Sequence, residues 1–515
     1  MSLFRADPPL LPDIIRWQGQ WLLDKPAVIF QDKITSWQEF DKITNKLGNE
    51  LLGRGFSRGS RVVVLMENTD KMIFSLFGVI KSGACVVPVN LAVSDEALAI
   101  QIKDSHAKVI IASEFQAVRI DGLIQAKLLL DNFVLIADGN ASESWLNWDN
   151  VVSGASRRAI NVPLEGNDEC NVIYSSGTTG MPKGIVHSHR ARLDWAYDLS
   201  IALKYETDTI SICSLGLYSN ISWVAMLSCI LVGGCMVVQR KFNPEDFLRL
   251  VAKHNVTHCA GVPIQFQRII DSPEFDPSLV SSIKTSMCCG SPLNESLKIR
   301  YQEQFNGALI ELYGLTEGVI TTLAPEDCVV AGKSVGRPLI GTEIQILSDS
   351  NQLVKNNEIG EIIGRGRIMM KGYLNRPDAD EEASWIDGEG NTWLRTGDIG
   401  RIDEKGFLYL VDRKKDMIIS GGQNIYPQDL EKALLQHESV IEAAVIGVSC
   451  KKWGETPLGL VVVNNPTESL ENICSWANLK LGRQQKISRL IAVDKLARNP
   501  NGKILKKILR EEFDS

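Results

Sequence analysis

Histidine is scarce in this chain, with six among 515 residues, and its eleven cysteines are scattered without a single C-x-x-C pair. With neither ligand type at metal spacing, a zinc site or a dithiol redox centre is not expected, and buried reduced thiols in a cytoplasmic protein are. Basic charge is also in deficit: 55 Lys and Arg stand against 62 Asp and Glu, a formal net charge of -7. That balance offers no footprint for nucleic acid or an anionic membrane surface. The opening MSLFRADPPLLPDII has no basic segment followed by an apolar one, so no secretory leader is expected. A long apolar run is missing too. Thr209 to Gln239 contains no charged residue, but Ser-Leu-Gly at 214–216, Ser219-Asn220 and Gly233-Gly234 divide it into strand, loop, helix, turn and strand. No transmembrane segment is expected there. Internal repeats and low-complexity tracts are likewise lacking.

At this length one hydrophobic core does not suffice, so at least two folded units are expected. The first two-thirds alternates β-branched runs with helical patterns: RVVVLMENT at 61–69, a helix over Asp70 to Lys81, CVVPVN at 85–90 and KVIIAS at 108–113. This rhythm predicts βαβ units and a parallel sheet. The plan continues through CNVIYSS, THCAGVP and SIKTSMCCG, and from about Gly341 gives way to short strands such as EIQIL and EIIGRG with glycine-rich turns. The expected fold is α/β: a large domain over 1–411 of parallel-rich sheets layered with helices, including a β-rich subdomain at about 341–411. A charged link at 412–416 follows, then a small mobile α+β domain at 417–515.

The most informative segment is YSSGTTGMPKG at 174–184. It follows a strand and gathers Ser175, Ser176, Gly177, Thr178, Thr179, Gly180 and Lys183 into a short loop. Glycines bring backbone amides close to an anion, hydroxyls add donors, and the lysine adds charge, a combination suited to nucleotide phosphate. Gly184 follows Lys183, so the G-x-x-x-x-G-K-[ST] pattern is not met.

This loop resembles the phosphate loop of the adenylate-forming superfamily of acyl-CoA synthetases, peptide-synthetase adenylation domains and luciferases. YGLTE at 313–317, RTGD at 395–398, DRKKD at 412–416 and NGKI at 501–504 extend the resemblance over nearly the whole chain. It implies that Tyr313 stacks on adenine beside Gly314, that Thr316 binds phosphate, and that Glu317 helps hold Mg²⁺ with ATP. Gly290, Ser291 and Pro292 fall at the adenine-pocket loop. By the same resemblance Asp398 binds ribose with Arg413 beside it, Lys503 is the adenylation lysine, and Lys415 marks the hinge. Gly421 and Gly422, in ISGGQNIYP, would line the channel for the thiol arm of coenzyme A, and Trp453 would meet the CoA nucleotide. Tyr218, Ser219, Asn220, Trp223, Val262 and Pro263 would form the acyl pocket, with Ser219 standing where relatives often carry histidine.

Taken alone, YGLTE also fits a helix start capped by its threonine, Asp398 a solvated turn, and Lys503 a surface charge. The activity implied is activation of a carboxylic acid, fatty or aryl, as its acyl-adenylate and transfer to CoA. Three alternatives stay open: loading of a carrier protein, luciferase-like oxidation, and nucleotide sensing without turnover. The sequence does not fix the oligomeric state, and a homodimer is among the alternatives.

Overall fold

The computed structural model describes residues 8–175, 182–420, 423–450, 453–465, 468–481, 486–498 and 502–514. They fall into two compact units that interleave in sequence: residues up to Glu326 with 338–342 and 365–383, and residues 327–337, 343–364 and 384 onward.

The first unit is built on two sheets. One runs, in spatial order, through Gly372–Tyr373, Lys183–Ser188, Glu169–Ser175, Cys85–Pro88, Arg61–Leu65, Val109–Ser113, Val134–Asp138 and Leu146–Asn147. From Glu169–Ser175 onward the neighbours pair parallel, while Lys183–Ser188 returns antiparallel. The other includes Ile320–Leu323, Ala308–Gly314, Thr285–Cys289, His258–Gly261, Ile210–Cys213, Cys235–Val238 and Pro26–Phe30, parallel from the second to the last. Val, Ile and Leu dominate because strands covered by helices on both faces see no water.

The helix Asp70–Ser82 shows how local signals set the elements. Thr69 accepts from the Met72 amide as N-cap, and Gly83 closes the far end at φ 85°. All of its residues but Lys71 are buried, and it packs beside Trp37–Gly53, where Gly78 touches the Leu47 side chain. The uncharged stretch becomes the strand Ile210–Cys213, the helix Asn220–Val232 and the strand Cys235–Val238. Thirteen residues of helix reach about 20 Å. Among the described residues no helix is long and apolar enough to cross a membrane.

The second unit carries two smaller sheets. In the first, Thr392–Ile402 is flanked by Gly360–Gly366 and Ser384–Ile386, and Leu408–Arg413 also pairs with it antiparallel. In the second, the long hairpin Val440–Cys450 with Gly454–Val463 joins Ile418–Ser420, Gln423–Ile425 and the parallel strand Arg489–Ala492. Helices Pro427–Leu434 and Leu470–Lys480 close over this sheet around Ile418, Leu430, Val445, Val461 and Ile473.

Candidate active site

In open parallel sheets, ligands bind beyond the carboxyl ends of the strands. Four adjacent strands of the first unit end in candidate residues. Ile210–Cys213 leads to Tyr218, Ser219 and Asn220, His258–Gly261 to Val262 and Pro263, Thr285–Cys289 to Gly290, Ser291 and Pro292, and Ala308–Gly314 carries Tyr313 and Gly314. Gly290 has φ 91°, a left-handed turn that a side chain would strain.

The YGLTE segment is a hairpin turn and not a helix start. Tyr313 pairs with Thr321 and Gly314 with Ile320, and the turn closes through Leu315 N to Val319 O at 3.0 Å. A Cβ on Gly314 would sit 2.9 Å from Val319 O, so a larger residue would push the hairpin apart. At its tip the Glu317 carbonyl accepts from the Met370 amide at 2.7 Å, and Glu317 Oε1 accepts from the Tyr373 hydroxyl at 2.9 Å. Burial and then the Glu317 charge raise the phenol's pKa, so Tyr373 stays a donor. The Thr316 carbonyl accepts from His187 Nε2 at 2.7 Å. A carbonyl can only accept, so that nitrogen bears the proton. Burial, followed by the charge of Arg192, holds His187 well below its usual pKa and therefore neutral.

The phosphate-loop motif joins two antiparallel strands, with Ser175 paired to Lys183. Lys183 Nζ lies 4.9 Å from the centroid of the Tyr373 ring, which thus touches the lysine with its face and Glu317 with its hydroxyl. Ser176, Gly177, Thr178, Thr179 and Gly180 lie outside the described residues.

The acyl-side candidates divide by depth. Ser219 accepts from the Ile221 amide as N-cap of Asn220–Val232, a structural use of the hydroxyl. Trp223 is fully buried, packed tilted against Phe77 at 6.3 Å. Val262 is buried at the start of helix Pro263–Ile270, whereas Tyr218, Asn220 and Pro263 are half-buried. Asn68 pins this loop by accepting from Leu217 N at 2.9 Å and donating to Leu215 O at 2.8 Å.

In the second unit, Asp398 and Arg413 face each other across paired strands, with Nε to Oδ1 at 3.1 Å. Asp398 is only 4% exposed, and Gly397 before it turns at φ 70°. Lys503 shares this neighbourhood. Burial and then the Arg413 charge push its ammonium down to about 7, with Asp398 and Asp416 acting the other way. Its turn is tied by Arg498, which donates to Gly502 O at 2.6 Å and bridges Ile504. Lys415 is likewise lowered by burial and by Arg413. The link is anchored at both ends: Asp412 Oδ2 accepts from Gln428 N at 3.0 Å, and Asp416 pairs with Arg510 at 3.0 Å.

The structure therefore gathers Asp398, Arg413, Lys415 and Lys503 in one unit, and Lys183 and Glu317 around Tyr373 in the other. Gly421 and Gly422 lie outside the described residues, while Trp453 is half exposed just before the strand Gly454–Val463. Sequence reasoning missed His187, Tyr373 and Asn68. The signal for His187 and Tyr373 was their place in IVHSH and KGYLN, on strands that pair at Val186 and Gly372.

The model of the AMP-binding enzyme family matches residues 15–374, and that of the AMP-binding enzyme C-terminal domain matches 429–503. The chain belongs to the AMP-binding enzyme family. Within it, the chain is 29% identical to long-chain-fatty-acid–CoA ligase FadD13 of Mycobacterium tuberculosis, over 93% of each chain. It is 30% identical to 4-coumarate–CoA ligase 1 of Petroselinum crispum, over 93% of this chain and 89% of the relative. The o-succinylbenzoate CoA synthetase MenE of Bacillus subtilis, solved with its acyl-adenylate OSB-AMP, superposes at a TM-score of 0.84 with 26% identity, over 97% of this chain and 98% of that one. The same enzyme has been solved with ATP and a magnesium ion, at a TM-score of 0.83 with 25% identity, over 96% and 99%. This AMP-binding enzyme is thus acyl-CoA synthetase-like in sequence and in fold.

Proposed function

We propose that the chain is an ATP-dependent acid–CoA ligase, forming acyl-AMP and pyrophosphate and then acyl-CoA and AMP. The observation that carries this reading is the grouping of Lys503 with the Asp398–Arg413 pair, a half-buried lysine beside a carboxylate able to accept from both ribose hydroxyls. The CoA ligases among its relatives support coenzyme A over a carrier protein as acceptor.

In the first step a carboxylate oxygen of the acid attacks the α-phosphorus of ATP, and the bond to the bridging oxygen breaks, releasing pyrophosphate. Negative charge gathers on the oxygens, and the Lys503 ammonium offsets it. Tyr313 stacks on adenine above the Gly290 turn, and Thr316, its backbone held by His187, meets phosphate together with Lys183. In the second step the CoA sulfur attacks the acyl carbon, the bond to AMP breaks with its electron pair going to the phosphate, and the thiol proton passes to solvent. Lys503 is not needed there, and Lys415 would be the hinge about which it swings away between the two steps.

Mg²⁺ is commonly held by one or two carboxylates plus substrate phosphates, and Glu317, oriented by the Tyr373 hydroxyl, fits that pattern. When bound, the ion would neutralise phosphate charge. Among the described residues all cysteines are free, which supports a reducing compartment such as the cytoplasm.

The test is pyrophosphate release across straight-chain, branched, aryl and dicarboxylic acids, with and without CoA. CoA-dependent turnover on a subset of acids is expected. Acyl-AMP that accumulates with CoA present points to a carrier protein instead, and no turnover with any acid ends the ligase reading.

A further inference from the structure

The helix His189–Ala202 carries a charge that the chemistry above does not use. Arg192 is 0% exposed, and its guanidinium lies 5.0 Å from the ring centroid of Trp195 and 5.2 Å from that of Trp223. Nε donates to Asn171 Oδ1 at 2.7 Å, yet Nη1 and Nη2 have no hydrogen-bond partner among the described residues. Burial lowers its pKa only to about 9, so the group is charged at neutral pH. An interior guanidinium with its outer N–H groups unmet is strongly unfavourable unless something arrives to meet them.

The groups around it have the same need. Among the described residues, Asn171 Nδ2 and Trp223 Nε1 are buried donors without partners, and His187 Nδ1 is a buried acceptor without one. Unmet donors outnumber unmet acceptors, the signature of a place for oxygen atoms bearing negative charge. The place is telling as well. Through His187 the cluster adjoins the Thr316 carbonyl, and through Trp223 it adjoins the helix Asn220–Val232 on the acyl side. A plain alkyl chain laid here would bury hydrocarbon against an unpaired charge.

We propose that Arg192, with the Asn171 amide and the Trp223 indole N–H, recognises a second carboxylate on the acid substrate, so that dicarboxylic acids are preferred over simple fatty acids. This rests on the ligase reading above and narrows its substrate class.

The test compares kcat/KM for pyrophosphate release on matched pairs: adipate with hexanoate, suberate with octanoate, and terephthalate with benzoate. A charge-assisted contact in a buried site gives an expected preference for the diacid of about 10- to 100-fold in at least one pair. Arg192→Met should bring that ratio close to one, and Arg192→Lys should restore part of it. Trp223→Phe, which removes only the indole donor, should lower the ratio a few-fold, and it keeps the proposal testable if the arginine variants do not fold. CoA-dependent turnover of the monoacids at equal or higher kcat/KM in the wild type overturns the proposal and leaves the ligase reading standing. A diacid preference that survives Arg192→Met overturns it too. No turnover in either series removes the ligase reading, and this one with it.

Discussion

Each unit holds a lysine whose pKa is pushed down, Lys81 buried and Lys503 half-buried, and the two are held in opposite ways. Lys81, on the helix Asp70–Ser82, donates to Asp41 Oδ1 at 2.5 Å, Asn45 Oδ1 at 2.9 Å and the Asp41 carbonyl at 3.2 Å. Three protons meet three acceptors, and its pKa falls only to about 8 because Asp41 opposes the effect of burial. Lys503 is set among both signs, with Arg413 and Lys415 acting against Asp398 and Asp416, and burial and Arg413 bring it to about 7. The first lysine is closed on itself and serves the fold. The second lies among Arg413 and Lys415 as well as Asp398 and Asp416, a setting in which an arriving anion would offset the positive charge, in keeping with the adenylation role proposed for it.

The two should therefore fail differently. Lys503→Ala is expected to lower acyl-AMP formation by about 10²- to 10³-fold, while transfer from preformed acyl-AMP to CoA stays within a few-fold. Equal loss in both half-reactions would break the contrast. Lys81→Met leaves Asp41 with the Asn45 amide alone and no cation, and loss of one member of a largely buried pair costs about 3 kcal/mol. Thermal unfolding should then begin several degrees lower, with kcat on folded protein little changed; an unaltered melting curve would show Lys81 to be dispensable. Tyr373→Phe removes one hydrogen bond to Glu317, worth about 1.5 kcal/mol when the acceptor is charged. A roughly ten-fold higher Mg²⁺ requirement in pyrophosphate release is expected, and no change with Mg²⁺ would detach Glu317 from the ion.

What could be read in advance follows the same division between local and distant. The helix Asp70–Ser82 announced itself by a threonine before it and a glycine after it, and the uncharged stretch by glycines and serines that no spanning helix would carry. Motif residues could be named because their chemistry is written in short runs. The contacts that orient them could not. Tyr373 reaches Glu317 from a strand 56 residues further along, through a register that only the folded sheet defines. The YGLTE segment, taken alone, fits a helix start capped by its threonine, and only the pairing of Tyr313 with Thr321 makes it a hairpin. Arg192 was the least legible, since an arginine in a helix ordinarily faces water. Only the two indoles and the full burial reveal it as an interior charge.

The smallest predicted effect bears most directly on the contrast between the lysines. With its pKa near 7 in the free protein, Lys503 is largely neutral at pH 8. Binding of ATP places negative charge against it, which favours the ammonium and raises the pKa toward its ordinary 10.5. The sign is therefore proton uptake on binding, strongest between pH 7 and 10, absent well below pH 7 where the group is already charged, and absent in Lys503→Met. Calorimetric titration of ATP at pH 8, in buffers that differ in ionisation enthalpy, should report uptake approaching one proton for the wild type and Lys81→Met alike, because Lys81 is already satisfied by its own carboxylate. Proton release, or uptake lost in Lys81→Met and kept in Lys503→Met, would reverse the roles assigned to the two lysines.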